Sequence, residues 1–359
     1  MNTSFHSNRN RNGIAMIIVM LTIFVLAMLA GKFAVLMKVE TKLARNANSE
    51  TELIWLGRSG VELAKCFLAQ PKPPNEPYDS LNQIWAGGPG GANETNNPLA
   101  GLSLTDYKLG GGTISVKITD LERKVNINIA GEDTLQQALT VMGVDAGDIP
   151  IIANSILDWI DPDDDPHING TESDYYQTLN PAYFAKNGPI DDLSELLLVR
   201  GVTPPIYWGP SYTSHVPAAF QEQFDKFGRL MGMPTNSVGL ADLFTPISSG
   251  KININTASAA TLQVLGIDEN TAQLIIKTRA GRDGADGTED DTPFRGVGEL
   301  VNAGVSRLGV PQLARFCTVQ SATFQVEVDA QVGDCHKHFY AILGRTSQTD
   351  LQTLSFYWK

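Results

Sequence analysis

From Ile14 to Gly31 the chain carries an unbroken apolar run with Thr22 as its one polar residue. Length decides what such a run can be: at about 1.5 Å rise per residue it forms a helix of about 27 Å, close to the ~30 Å hydrocarbon core of a bilayer and longer than the 7 to 15 residues usual in a cleaved secretory signal. Residues 1–13 hold Arg9 and Arg11 and no acid. Basic residues ahead of an apolar span predict a cytoplasmic N-terminus and an exported remainder, and hence a single-pass membrane protein. The helix is predicted to continue past the bilayer, because Lys32 to Gln70 lacks Pro and is rich in Ala, Leu, Glu and Lys. Leu43, Leu53, Ile54, Leu56 and Leu63 supply one face, and Pro71, Pro73 and Pro74 end it.

The remainder is long enough for a large folded domain. A formal net charge of −12 argues against nucleic acid and anionic lipid surfaces, which reward Lys and Arg, and favours cationic partners. Pro71 to Gly112, with PKPPNEP and GGPGGANETNNP, reads as a surface excursion. Thr113 to Asp120 and Phe324 to Val332 alternate apolar and polar residues as half-buried strands do. Lys337 to Gly344 and Ser355 to Lys359 have strand composition as well, and all four are predicted to share one sheet. About 200 residues between them read as mostly helical. That stretch repeats itself: KVNINIA at 124–130 and KININTA at 251–257 each precede a Leu-bearing helix, a Gly turn and a second helix, and the copies close on PIDDLSELLLVRGV and PFRGVGELVNAGV. The helical spacing of Leu262, Val264, Leu265, Ile267, Ala272, Ile275 and Ile276 marks them as core.

A short basic leader ending in Gly13, followed at once by a helix apolar in its first half and amphipathic in its second, resembles the type IV pilin and pseudopilin family. The resemblance implies cleavage by a prepilin peptidase between Gly13 and Ile14 and methylation of the new amino terminus. Most pilins carry Glu at the fifth mature position; here it is Ile18, a departure that also marks the protein K family of large minor pseudopilins in type II secretion. A subunit lacking that carboxylate is unsuited to packing beneath another one. The implied architecture is α+β: a leader (1–13), a transmembrane and amphipathic helix (14–70), and a pilin-like domain with a small antiparallel sheet in two parts (71–123 and 316–359). Between those parts lies a helical insertion (124–315) with two repeats (124–205 and 251–310) similar to helix-hairpin-helix or SAM-like modules. The implied function is assembly with minor pseudopilins of the I and J types and the major pseudopilin at the tip of the periplasmic pseudopilus, with an exported substrate as a possible contact.

The most chemical stretch is Leu157 to Tyr176, where seven acids and no Lys or Arg fall between Asp158 and Asp174. Carboxylates this dense repel one another unless a cation or strong hydrogen bonding offsets them, and hard oxygens in a loop suit calcium. Asp161, Asp163, Asp165 and Glu172 occupy positions 1, 3, 5 and 12 of an EF-hand-like frame, with Pro166 where such a loop needs Gly. The order DWIDxD, NGTE, Tyr also resembles the calcium loop of the protein K family. Asp161, Asp163, Asp165 and Glu172 are the expected ligands, with Asn169 or a nearby carbonyl completing the set. Trp159, Ile160, Tyr175 and Tyr176 are expected to anchor the loop to the core.

The alternative reading is a membrane-bound DNA-uptake protein, because helix-hairpin-helix receptors carry a similar NINTA opening. Its hairpin should present glycines and basic residues to phosphate. Here it reads LGIDEN, and residues 251–310 hold six Lys or Arg against eight Asp or Glu, so no nucleic-acid partner is expected. Among five His residues none lies in HExxH, and neither GxSxG nor a phosphate-binding GxxxxGK[ST] occurs, so no enzyme is expected. His336 and His338 share one strand face. Of three cysteines, Cys317 and Cys335 would be able to pair in an exported chain.

Overall fold

The computed structural model describes residues 11–73, 76–90, 99, 102–211 and 238–358. Residues 1–10, Arg9 included, lie outside them, as do most of GGANETNNP, Pro74 and Lys359. Helix α1 runs from Arg11 to Leu68, ending three residues before Pro71. Its 58 residues extend over about 87 Å.

The two halves of α1 meet different surroundings. From Met16 to Val39 every large apolar side chain is exposed, Ile18 at 54% and Leu29 at 58%. Beyond Glu50 the helix lies on a sheet, and Leu53, Leu56, Val61, Ala64, Phe67 and Leu68 are buried. With Gly57 and Gly60 between Leu56 and Val61, they line one helical stripe. Leu43 does not join it: it is 62% exposed, because the sheet reaches only the part of α1 after Glu50. Ile54 and Leu63 pack at the margin. Gly57 and Gly60 fall within the stripe, and a Cβ on them would come within 2.5 Å of the Phe339 ring and of Val328 Cγ1. Two glycines on one helix face thus let the backbone approach the sheet closely.

The sheet has five antiparallel strands in the order β1-β2-β7-β8-β9. They are β1 (Tyr107–Leu109), β2 (Gly112–Asp120), β7 (Thr323–Val332), β8 (Cys335–Ser347) and β9 (Asp350–Trp358). In register Val116 pairs with Val328, and Val328 with Phe339. Alternation then sends Ile114, Val116, Ile118, Val326, Val328, Ala330, Phe339, Ala341 and Leu343 to the α1 face, all buried. His336 and His338 face the other way, opposite Gln331 and Asp329.

Between β2 and β7 the chain builds a second, larger core from Val125 to Cys317. Here KVNINIA forms β3 (Val125–Asn126), which pairs in parallel with β4 (Phe244–Thr245), and KININTA forms β5 (Ile252–Asn253), which pairs in parallel with β6 (Cys317–Thr318). After KVNINIA come α2 (Glu132–Met142), Gly143 with φ 81° and α3 (Ile149–Ile160). After KININTA come a helix Ala259–Val264, Gly266 with φ 83° and a helix Glu269–Arg279. The asparagines match too. The Asn128 amide donates to the Ile190 carbonyl at 3.0 Å and accepts the Ile190 N–H at 2.8 Å. Asn255 bridges both backbone groups of Phe294 in the same way at 2.9 Å each.

No cysteine pairs with another: Cys66, Cys317 and Cys335 are free thiols. Cys317 precedes β7 and Cys335 follows it, so the ten residues of that strand hold them about 30 Å apart. Burial pushes the Cys317 thiol up to about 12.

Candidate metal centre

Helix α3 buries Ile152, Ala153, Ile156 and Trp159 in the larger core, and its last turn delivers Asp158 to a position without solvent exposure. Asp161 follows as the C-cap residue. Two carboxylates at the negative end of a helix dipole are unfavourable on their own. The returning loop offsets part of this. Asp158 Oδ1 accepts the His167 N–H at 3.0 Å and lies 2.5 Å from His167 Nδ1, while Oδ2 accepts the Thr171 N–H. The hydrogen bond that its ring makes to Asp158 raises the His167 pKa above its ordinary value. Gly170 passes so close to Asp158 Oδ2 that no Cβ fits there. Asn154 donates to the Ile168 carbonyl at 2.8 Å, and Arg200 Nη1 donates to Thr171 Oγ1 at 2.9 Å.

The loop nevertheless leaves buried oxygens without donors. Among the described residues, both carboxylate oxygens of Glu172, Asp161 Oδ1 and Asn154 Oδ1 have no hydrogen-bond partner, and Glu172 is 6% exposed. Burial, reinforced by Asp158, Asp161, Asp164 and Asp163, pushes the Glu172 carboxyl up to about 7. Burial and the neighbouring Asp163 and Asp158 raise Asp161 likewise. A buried acceptor with no donor costs free energy that a cation would recover. The four orphaned atoms are all hard oxygens, which fits calcium. Ligand atoms of Asp158, Asp161 and His167 lie within 4.8 Å of one another.

Of the five residues expected from sequence, the fold thus brings Asp161 and Glu172 to a common buried region. Asp163 and Asp165 stay exposed at its rim, with Asp163 Oδ1 accepting the Asp165 N–H at 3.0 Å. Asn169 is exposed in a left-handed turn, φ 69°, that turns the chain toward Gly170. Asp158, His167 and Asn154 were not readable from the EF-hand spacing. Their signal is helical: Asn154, Asp158 and Asp161 recur at four and three residues on one face of α3. Trp159 and Tyr176 are buried and meet edge to face at 5.3 Å, as anchors should, Ile160 packs at the margin of the core, and Tyr175 stays 38% exposed.

In the other half of the insertion, Asp268 caps the helix Glu269–Arg279 by accepting the Thr271 N–H at 3.0 Å. A carboxylate therefore sits at the helix N-terminus where a phosphate would have to bind, which disfavours the DNA reading.

A helix half bare and apolar, half laid across a small antiparallel sheet, defines a pilin-like subunit with one candidate membrane span among the described residues. Residues 117–208, which include the acidic loop, match the family model described as type II secretion system (T2SS), protein K. The chain is 23% identical to type II secretion system protein K of Pseudomonas aeruginosa over 97% of its own length and 92% of the relative's. It is 26% identical to the putative type II secretion system protein K of Escherichia coli K12, over 56% of its own length and 61% of that relative. In fold it matches a chain of the crystal structure of the GspK-GspI-GspJ complex from the enterotoxigenic Escherichia coli type 2 secretion system, with a TM-score of 0.59, 19% identity, and coverage of 88% of this chain and 99% of that one. By these comparisons the chain is similar to type II secretion system protein K along nearly its whole length.

Proposed function

We propose that this chain is a minor pseudopilin that caps the tip of a periplasmic pseudopilus, held in the inner membrane by the exposed half of α1. The observation that carries this reading is the division of α1: an apolar half whose large side chains from Met16 to Val39 are exposed, and a half buried on the sheet. Such a helix packs against other helices within a bilayer while the globular part stays outside it. Ile18 in place of a carboxylate fits a subunit with no other subunit above it. Minor pseudopilins of the I and J types are the proposed partners, in keeping with the complex that contains the structural neighbour. The major pseudopilin, and a prepilin peptidase cutting between Gly13 and Ile14, complete the set. The matching hydrogen bonds of Asn128 and Asn255 support reading the insertion as a duplicated helical unit.

At the acidic loop the proposal is a calcium ion held by Glu172, Asp161 and the Asn154 carbonyl oxygen, with Asp163 at the rim and Asp158 kept in place by His167. The ion would neutralise carboxylates at the end of α3 and fix the loop against the core; no chemistry is asked of it.

Intact-mass analysis of the chain isolated from membranes of cells with active prepilin peptidase tests the anchor. The expected mass lacks residues 1–13 and includes one added methyl group at Ile14. A retained leader overturns the pseudopilin reading.

A further inference from the structure

The two cores are joined through a buried polar knot in which carboxylates outnumber cations. Asp79, Asp120 and Glu122 are all within 2% of complete burial. Asp79 comes from the segment after α1, Asp120 from the end of β2, and Glu122 from the turn into the insertion. Two cations face them. Lys72 Nζ lies 2.7 Å from Asp79 Oδ1, and Arg345 Nη1, from β8, lies 3.0 Å from both Asp79 oxygens. Both cations thus go to Asp79. Glu122 is held by the N–H groups of Ser249 and Thr323, at 3.0 and 2.9 Å. Asp120 has neutral partners: Asp120 Oδ1 accepts the Glu122 N–H at 2.8 Å, and Oδ2 meets Asn253 Nδ2, Thr256 Oγ1 and Ser321 Oγ at 3.2, 2.5 and 2.7 Å.

The insertion grips the sheet at this point. Asn253 also donates to the Asp79 carbonyl at 3.1 Å and to Ser321 Oγ at 2.8 Å, and its N–H reaches the Glu122 carbonyl at 2.8 Å. Asn253 and Thr256 belong to KININTA, so a sequence feature of the helical unit is spent on the junction.

We propose that this knot is a proton-operated latch, in which protonated Asp120 fastens the insertion to the sheet and ionised Asp120 leaves one uncompensated charge that loosens it. The charge count carries the argument: Lys72 and Arg345 balance two of three buried carboxylates, and an isolated buried charge is strongly disfavoured. The titratable and charged groups that face Asp120 are Glu122 and Asp79 with Lys72 and Arg345; on the insertion side Arg279, bound to the Ile254 and Ala257 carbonyls beside Thr256, is itself paired with Asp286. Burial, aided by Glu122, raises the Asp120 carboxyl to about 7 against the pull of the Thr256 and Ser321 hydroxyls. The sign follows. The folded chain retains a proton that the unfolded chain gives up near 3.8, so the stabilisation is complete below that pH and is lost as pH rises toward about 7.

The test uses the full chain in detergent micelles, with spin labels replacing Lys117 on β2 and Gln273 on the insertion, and with Cys66 and Cys335 changed to Ser. The distance distribution should be narrow at about pH 5 and broaden at about pH 8, with the melting temperature falling by several degrees over the same range. In Asp120→Asn, which mimics the protonated acid, the distribution should stay narrow and the melting temperature should fall less than in wild type, the remaining fall coming from Glu172. A wild-type distribution that does not change, or broadening that persists in Asp120→Asn, overturns the latch. If Asp120→Asn does not fold, Glu122→Gln decides: removal of its charge must move the transition to lower pH, and an unmoved midpoint rejects the proposal.

Discussion

Chelation of divalent cations with EGTA is expected to lower the melting temperature of the full chain by roughly 6–12 °C. The size follows from linkage: a ligand present at a few hundred times its dissociation constant stabilises the folded state by about 3 kcal/mol, and about 1 kcal/mol shifts the midpoint of a domain of this size by about 2–4 °C. The acidic loop is the source of the effect. Glu172 is buried with both oxygens unpartnered and is surrounded by carboxylates, so the loop needs either protons or a cation there. Glu172→Gln keeps the shape and removes the charge; it should melt with EGTA much as without it. Asp165→Ala, at an exposed residue whose contact to Asp163 is made by its backbone N–H, should keep most of the shift. Zinc restoring the chelated chain better than calcium would assign the site to Asp158, Asp161 and His167 instead. A chain indifferent to both metals and to EGTA would reduce the loop to a solvated helix end.

Some of this site was legible in sequence and some was not, for a reason rooted in geometry. Seven acids without a base announce a charge problem in any conformation, so the candidate region is visible without the fold. Its membership is not. The EF-hand frame assumes that alternate loop residues point inward, and it selected Asp163 and Asp165, which the fold leaves outside. The inward groups come instead from the last two turns of α3, through Asn154, Asp158 and Asp161, and from Glu172 beyond the tight turn at Asn169 and Gly170. The strands divide in the same way. Those of nine or more residues with clean alternation, β2 and β7, are visible from hydrophobic pattern alone. The three residues of β1 carry no pattern, and the start of β9 is polar and breaks register between Arg345 and Ser347, so its extent depends on β8. Leu43 misled for a similar reason: helical spacing tells which residues share a face, and only the length of the sheet tells where that face is covered.

Gly57→Leu is expected to be among the most damaging single substitutions in the chain, although the position reads in sequence as an exchangeable residue inside a helix. Intrinsic propensity favours the change, since Gly in a helix interior costs about 1 kcal/mol relative to good helix formers. Packing opposes it. A Cβ at Gly57 would lie 2.5–2.8 Å from three atoms of the Phe339 ring, and Phe339 is fully buried and stacked on Phe356 at 5.6 Å, so the ring cannot swing aside. The helix must therefore lift from β8, and lifting it uncovers Leu53, Leu56 and Ala64 along with the site of change. Overpacking of this kind costs about 1–3 kcal/mol in a yielding core and more in one bounded by a sheet backbone, which outweighs the gain in propensity. Urea unfolding of the full chain in micelles should show a loss of about 3 kcal/mol or more for Gly57→Leu. The exposed neighbour Glu62→Leu should stay within about 0.5 kcal/mol of wild type. Because the clash is with one ring, Phe339→Ala should restore part of the loss in Gly57→Leu while destabilising the wild-type background, giving a coupling of about 1–3 kcal/mol. Additive effects of the two substitutions would mean that α1 does not approach β8 as closely as its glycines allow, and the buried half of the helix would then lose its account of why Gly57 and Gly60 stand three residues apart.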